Sequence, residues 1–386
     1  MAITPFKNNK MPIKSYFEIK EDLKRKIKNK QNSYKNVKLT KEDRNLITEI
    51  KEMTKKLNLN NLTRTQAYLD FFIEHPDIHW ALLGHMVSRN GGWNMTDLKG
   101  DLVNKFLSEK EQVDFFLFLE RGNWLIFQDV FPQFLLYKKS LENKKNLFYL
   151  LPFLGVSLFM ETMWNYYWVH GDCYLLAIAT IINEQNYLEK RVIKNHHFKK
   201  TVIDTIGFKL YDFLRFNHII FPFYKNENNE KPNIIGNTMK HFDSLHERIL
   251  LGKKSYSLLF HEKTVYKGVL SWARNNPHTA SRKDYWTHLF NNVNETPPSS
   301  GYRRRTKRCS LKKGANRIYS PPLQFAWKNI SHQDAEDGDW CDNWRIIDYL
   351  IEEKYTGGEI YEEYCKTIEK IELAIIAKKA FFLRKE

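Results

Sequence analysis

The sequence has few cysteines, and the four it has, Cys173, Cys309, Cys341 and Cys365, lie far apart and form no C-x-x-C. With no secretory signal at the start, reduced thiols in a cytoplasm are the expectation. Long apolar runs are also missing. The most apolar stretch, Asn146 to Asp172, is cut by Glu161 into uncharged runs of 15 and 10 residues, with Pro152 inside the first. A spanning helix needs ~20 apolar residues, so no membrane span is expected, although the basic N-terminal tail leaves peripheral attachment open.

Several catalytic signatures are absent as well. His246–Glu247 and His261–Glu262 lack a second histidine three residues on, which excludes a zinc-protease helix. Gly252-Lys253-Lys254-Ser255 lacks the upstream glycine of a phosphate loop, and neither G-x-G-x-x-G nor G-x-S-x-G occurs. Nucleotide hydrolysis and serine-hydrolase chemistry lose their usual sequence support, and no cofactor is specified.

What is present is a chain of 386 residues with 42% hydrophobic and 15% aromatic content, enough to bury a large core. Its formal net charge of +16 is unevenly placed. Residues 1–60 carry +9 and residues 301–320 carry +8, which leaves −1 for everything else. The positive charge therefore belongs to an N-terminal segment and one internal run. Lys, Asn and Ile abound throughout, so A+T-rich codon usage explains the tail as readily as a polyanionic partner does.

Residues 1–39 are Lys/Asn-rich with little apolar periodicity and read as a flexible basic arm, with order beginning near Thr40. Helix-start pairs follow at Thr40/Asp43, Thr63/Gln66, Asn94/Asp97 and Ser108/Glu111. Helix stops are expected at His75–Pro76, Gly91–Gly92 and Gly252. Strand signals are thin, since no Asn-Gly or Asp-Gly turn separates alternating runs, but short strands fit near Ile219 to Tyr224. The expected architecture is an all-α, irregular multi-helix bundle. It divides into a basic arm (1–39), a helical core (40–292), a basic Pro/Ser/Arg-rich loop (293–322) and a C-terminal helical extension packed on the core (323–386), with helices near 343–355 and 359–384.

Four segments are candidates for function. In the first, around Pro76 to Leu98, His85 and Arg89 share a helical face, whereas His79 and His85 lie about 120° apart and cannot chelate one metal. A corner at Arg89, Asn90, Gly91, Gly92, Trp93 and Asn94, with Asp97 beyond, is a candidate site for a small anionic or polar ligand. Read structurally, the same residues are a helix stop, a core tryptophan and a carbonyl-capping arginine. In the second segment Glu161, Asn165, His170 and Asp172 interrupt an apolar run. Glu161 or His170 is the acid/base candidate, and the alternatives are a buried hydrogen-bonded Glu161 and an Asp172 that caps the next helix.

The third segment contains His278, Arg282 and Asp284. Arg282 in the first turn of a helix sits where anions are favoured, so it should meet a carboxylate or an anionic ligand. The expectation is that these three segments converge on one pocket walled by Trp93, with Arg89 and Arg282 holding an anionic group. The fourth segment is the run Arg303, Arg304, Arg305, Lys307, Arg308, Lys312, Lys313 and Arg317. Its aromatics, Tyr302 and Tyr319, stand only at the edges, which suits sequence-independent phosphate contact better than base stacking. It equally suits pairing with the acidic segment Asp334, Glu336, Asp337, Asp339 and Asp342, in which calcium binding is a weak alternative. Nucleic acid is thus a second candidate partner, and a protein-interaction scaffold with exposed Trp and Tyr anchors is a third reading.

The strings HWALLGHMVSRNGGWNMTDL (79–98) and PHTASRKDYWTHLF (277–290) resemble the YppC-like proteins, a bacterial family defined as a domain of unknown function, over about residues 60–375. That resemblance implies a bacterial cytoplasmic protein and carries no catalytic residues over.

Overall fold

A computed structural model describes residues 11–29, 37–205, 208, 218–225, 231–239, 241–296, 302–351 and 358–382. The architecture is predominantly α. The main helices are α1 (Ile13–Lys28), α2 (Lys41–Leu57), α3 (Asn61–Glu74), α4 (His79–Asp97), α5 (Glu109–Glu142), α6 (Leu158–His170), α7 (Cys173–Leu188), α8 (Leu245–Phe260), α9 (Lys263–Asn275) and α10 (Tyr361–Phe382). No helix among the described residues is long and apolar enough to cross a membrane.

Local chemistry sets most helix starts. Thr40 with Asp43 and Ser108 with Glu111 form reciprocal capping boxes, and Asp172 accepts from the Leu175 amide to open α7. The start of α3 is displaced from the expected pair. Asn60 is the cap, exchanging hydrogen bonds with Thr63, while Gln66 turns to Asp70 within the helix. The helix does end at His75, ahead of Pro76.

Neither Gly91–Gly92 nor Gly252 is a stop, and Asn94/Asp97 is not a start. Helix α4 runs unbroken through 91–92, and α8 runs through 252. At these positions glycine provides room for a neighbour. A Cβ at Gly252 would stand 2.5 Å from Ile181 of α7, and one at Gly91 would stand 3.0 Å from Asn123 of α5.

The expectation that order begins near Thr40 is also corrected. Residues 1–10 and 30–36 of the basic arm lie outside the described residues, but 13–28 is a helix. Its Ser15, Ile19 and Leu23 are spaced by four and buried, and it packs on α6 and on the short helix Trp344–Leu350. Three buried positions among many lysines are too narrow a stripe to stand out in the sequence.

Strands are few. β1 (His218–Phe223) pairs antiparallel with β2 (Asn233–Thr238), close to where short strands were expected. The segment 293–322 is not a bare linker. Between β3 (Phe290–Asn291) and its parallel partner β6 (Ile318–Tyr319) lies a tight hairpin of β4 (Thr306–Lys307) and β5 (Ser310–Leu311). A final short strand, β7 (Gly358–Glu359), adds to β2. The C-terminal part begins with the four-residue helix Leu323–Ala326; a short helix Trp344–Leu350 then lies within the expected 343–355, of which 352–355 are outside the described residues, and α10 follows near its expected place.

Candidate functional site

Helix α4 is buried on nearly every face, and its polar side chains face inward to named partners. Asn90 uses its amide as a surrogate peptide, donating to the Ile220 carbonyl at 2.9 Å and accepting from the Ile220 amide at 2.9 Å. It thereby pairs both backbone polar groups of Ile220 in β1. His85 meets the Thr65 carbonyl through Nδ1 at 2.7 Å, and Arg89 Nε donates to its Nε2 at 2.9 Å. This pattern requires a neutral imidazole, and burial together with Arg89 holds its pKa well below the ordinary value.

Arg89 also donates to the carbonyls of Ala273 and Asn276 at the end of α9 and stacks over Trp272. Its burial lowers its pKa to about 10. Arg282 lies across α4 from the loop after α9. Its Nε and Nη2 clasp both oxygens of Asp97, Nη2 also reaches Asn94, and Nη1 reaches Tyr285 and Tyr364. All five N–H donors of Arg282 are thus taken by the protein. Burial alone would disfavour its charge, but Asp97 outweighs that and raises its pKa well above the ordinary value.

Between the two arginines sit Asn61, His278, Asp284 and Trp93. His278 Nε2 meets Asn61 Oδ1 at 2.9 Å, and its Nδ1 faces Asp284 Oδ2 at 3.5 Å. Asp284 also accepts from the Thr279 amide and hydroxyl, and the indole of the fully buried Trp93 reaches it at 3.5 Å. Burial lowers the His278 pKa against the opposing pull of Asp284. A carboxylate beside an imidazole is the arrangement general bases use. Here Asn61 holds the other ring nitrogen, and the His278 and Asp284 side chains are only 2% and 5% exposed. The cluster locks the loop after α9 onto α3 and α4. Gly92 permits the approach, since a Cβ there would stand 2.3 Å from Asn61 and 2.7 Å from His278.

The first and third sequence segments therefore meet, as a clasp in which Asp97 takes Arg282, and His85 and two backbone carbonyls take Nε and Nη2 of Arg89, whose Nη1 has no hydrogen-bond partner among the described residues. His79 belongs elsewhere. It bonds to the Tyr256 hydroxyl and stacks on Phe260 of α8, and burial lowers its pKa to about 4. The second segment does not join the other two. Glu161 pairs with Lys26 of α1 at 3.0 Å, His170 faces Glu18 of α1 at 3.1 Å, Asn165 accepts from Asn146, and Asp172 is a helix cap. Together, α1 and α6 enclose a cavity of about 430 Å³.

The basic run divides in two. Arg304 pairs with Glu369, Arg305 with Asp101 and Arg317 with Glu295, so three of its charges are neutralised internally. Arg303, Lys307, Arg308, Lys312 and Lys313 are exposed, and none has an ion-pair partner among the described residues. The hairpin carrying them is clamped from beneath by α10. Glu372, fully buried, accepts from the amides of Arg305 and Thr306 and the hydroxyls of Thr306 and Tyr302. Glu369 takes the Arg308 amide, and Cys309 forms a disulfide with Cys365, with Cα atoms 5.2 Å apart. This pairing corrects the expectation that all four thiols are reduced; Cys173 and Cys341 form no disulfide among the described residues.

The acidic segment does not pair with the basic run. Asp339 caps α6 through the Leu158 amide, and Arg191 holds the carbonyls of Glu336 and Gly338. Nor are the tryptophans exposed anchors, for all ten are buried or half-buried. Reading the sequence also passed over Asp129. It lies in the core between α5 and α7, accepts from Asn183 and Gln133, and is pushed up to about 7 by burial.

These observations define a predominantly helical protein with a buried polar clasp inside, in which Arg89 Nη1 and His278 Nδ1 have no hydrogen-bond partner among the described residues, and two polar features at its surface, a cleft and a basic hairpin. The chain belongs to the DUF2515 family of proteins of unknown function, whose model matches residues 56–362. It is similar to "Uncharacterized protein YppC" of Bacillus subtilis (strain 168), with 44% identity over 241 residues, covering 62% of this chain and 73% of that protein. No solved structure matches the chain.

Proposed function

We propose that this protein binds a polyanion, in the first instance the phosphate backbone of a nucleic acid, through the β4–β5 hairpin. The observation that carries this reading is the set of five exposed cations without ionic partners among the described residues, Arg303, Lys307, Arg308, Lys312 and Lys313, on a backbone clamped by α10. A clamped backbone fixes the spacing of the charges before binding, which lowers the ordering cost of contact. The neighbouring aromatics support phosphate contact over base readout, because Tyr302 is committed to Glu372 and to the Arg305 guanidinium.

Fluorescence anisotropy with a labelled duplex at several salt concentrations tests the reading. Log affinity should fall linearly with log salt, with a slope approaching about −4 if most of the five cations engage phosphates. Replacing all five by glutamine should abolish binding with the fold intact by circular dichroism. Equal binding by that variant would overturn the assignment.

A further inference from the structure

The basic hairpin is held to α10 at two levels. At its base, Glu372 accepts from the amides of Arg305 and Thr306 and from the hydroxyls of Thr306 and Tyr302. At its tip, Glu369 accepts from the Arg308 amide, His288 reaches the Cys309 backbone, and the Cys309–Cys365 bond supplies a covalent tie. Glu372 is fully buried, whereas Glu369 and His288 are half-buried, so the hydrogen bonds at the tip compete with water.

Left to itself, the tip is poorly disposed to keep this shape. β4 and β5 share two residue pairs, Thr306 with Leu311 and Lys307 with Ser310, and so short a two-stranded ladder is marginal in water. Both turn residues, Arg308 and Cys309, hold the left-handed backbone that side chains disfavour, and the cross-link starts from one of them. Cys309 and Cys365 are 4% and 6% exposed, but Arg308 and Ser310 on either side of Cys309 are exposed. Opening the two-residue turn, with the helices undisturbed, therefore brings the sulfurs to solvent. Lys307 and Arg308, two of the five cations without ionic partners among the described residues, sit directly beside that turn.

We propose that the Cys309–Cys365 disulfide is a redox latch on the hairpin: formed, it fixes the cations in phosphate-binding spacing, and reduced by a dithiol, it frees the turn and weakens polyanion binding. This rests on the polyanion reading of the hairpin. In the reducing step the dithiol's thiolate bonds to one of the two sulfurs as the Cys309–Cys365 bond breaks, and its second thiol then displaces that sulfur. The dithiol leaves as a disulfide, and its two protons end on Cys309 and Cys365. Glu372 still holds the base of the hairpin, so the change is confined to the tip. The cations then meet phosphates only after their spacing is ordered again, a cost that the formed bond removes in advance.

The test compares the full chain oxidised and after treatment with dithiothreitol in the absence of denaturant, with reduction of Cys309 and Cys365 verified by alkylation and mass spectrometry. On reduction, duplex affinity by anisotropy should fall about tenfold or more, and the salt slope should shrink by about 2 as Lys307 and Arg308 lose their fixed positions. Amide exchange should quicken over 307–311 and stay unchanged in α4 and α5, and reoxidation should restore binding. Cys365→Ser, which keeps Cys173 and Cys341, should bind like the reduced chain whether or not dithiothreitol is present. A disulfide that resists dithiothreitol in the folded chain, equal duplex affinity in the two states, or exchange that quickens throughout the core would each overturn the latch. An oxidised chain that binds no duplex at any salt would instead overturn the polyanion reading, and the latch with it.

Discussion

A methyl group at position 92 would meet Asn61, His278 and Ala280 at once, the closest at 2.3 Å. Alanine is ordinarily the better helix former by about 1 kcal/mol. In this place the overlap should reverse that preference, and Gly92→Ala is expected to destabilise by about 1–3 kcal/mol in urea unfolding. Gly122→Ala on α5, where a Cβ meets nothing within 4 Å, should be neutral or stabilising in the same assay. Individual residues were unevenly readable in the sequence. Arg282 was expected to meet a carboxylate or an anionic ligand because it sits at a helix start, and in the structure it clasps the Asp97 carboxylate. The partner's distance in sequence, and the sealing of His278 by Asn61, depend on packing that no local pattern carries.

Helix caps at Thr40, Ser108 and Asp172 were readable because the capping bond is made within four residues. The β4–β5 hairpin was not. Its two turn residues, Arg308 and Cys309, have φ of 48° and 57°, a conformation usually signalled by Asn-Gly. A left-handed backbone at each costs on the order of 1–2 kcal/mol. Contacts from α10 offset that cost, far along the chain. Glu372→Ala removes four acceptor contacts from the hairpin and leaves buried donors unmatched, so a loss of roughly 3 kcal/mol is expected in thermal unfolding. Faster amide exchange at 305 and 306 should accompany it. Helix α1 was missed for the opposite reason, since its buried stripe is narrow and its surface is the charge-rich composition of a disordered tail.

Across the whole molecule, the net charge of +16 overstates what is available to a partner. The sequence showed where positive charge is concentrated but not which cations are spent on Glu369, Asp101 and Glu295. The Cys309–Cys365 bond closes a span of 56 residues, and cross-links of this kind contribute about 2–4 kcal/mol. Reduction without denaturant should therefore lower the melting temperature. Alkylation of the native, unreduced protein followed by mass spectrometry should label at most Cys173 and Cys341.

The residues matched by the family model begin at 56 and end at 362, whereas α1 lies before that span and Cys365, Glu369 and Glu372 lie after it. One wall of the cleft and the underside of the hairpin are therefore contributed by the flanks, and the clasp around Arg89 and His278 is internal to the shared span apart from Tyr364, which receives Arg282. Inheritance can then act on the two parts separately. Relatives that keep the span can keep the clasp and the hairpin's cations while exchanging, through their ends, what braces that hairpin and what walls the cleft.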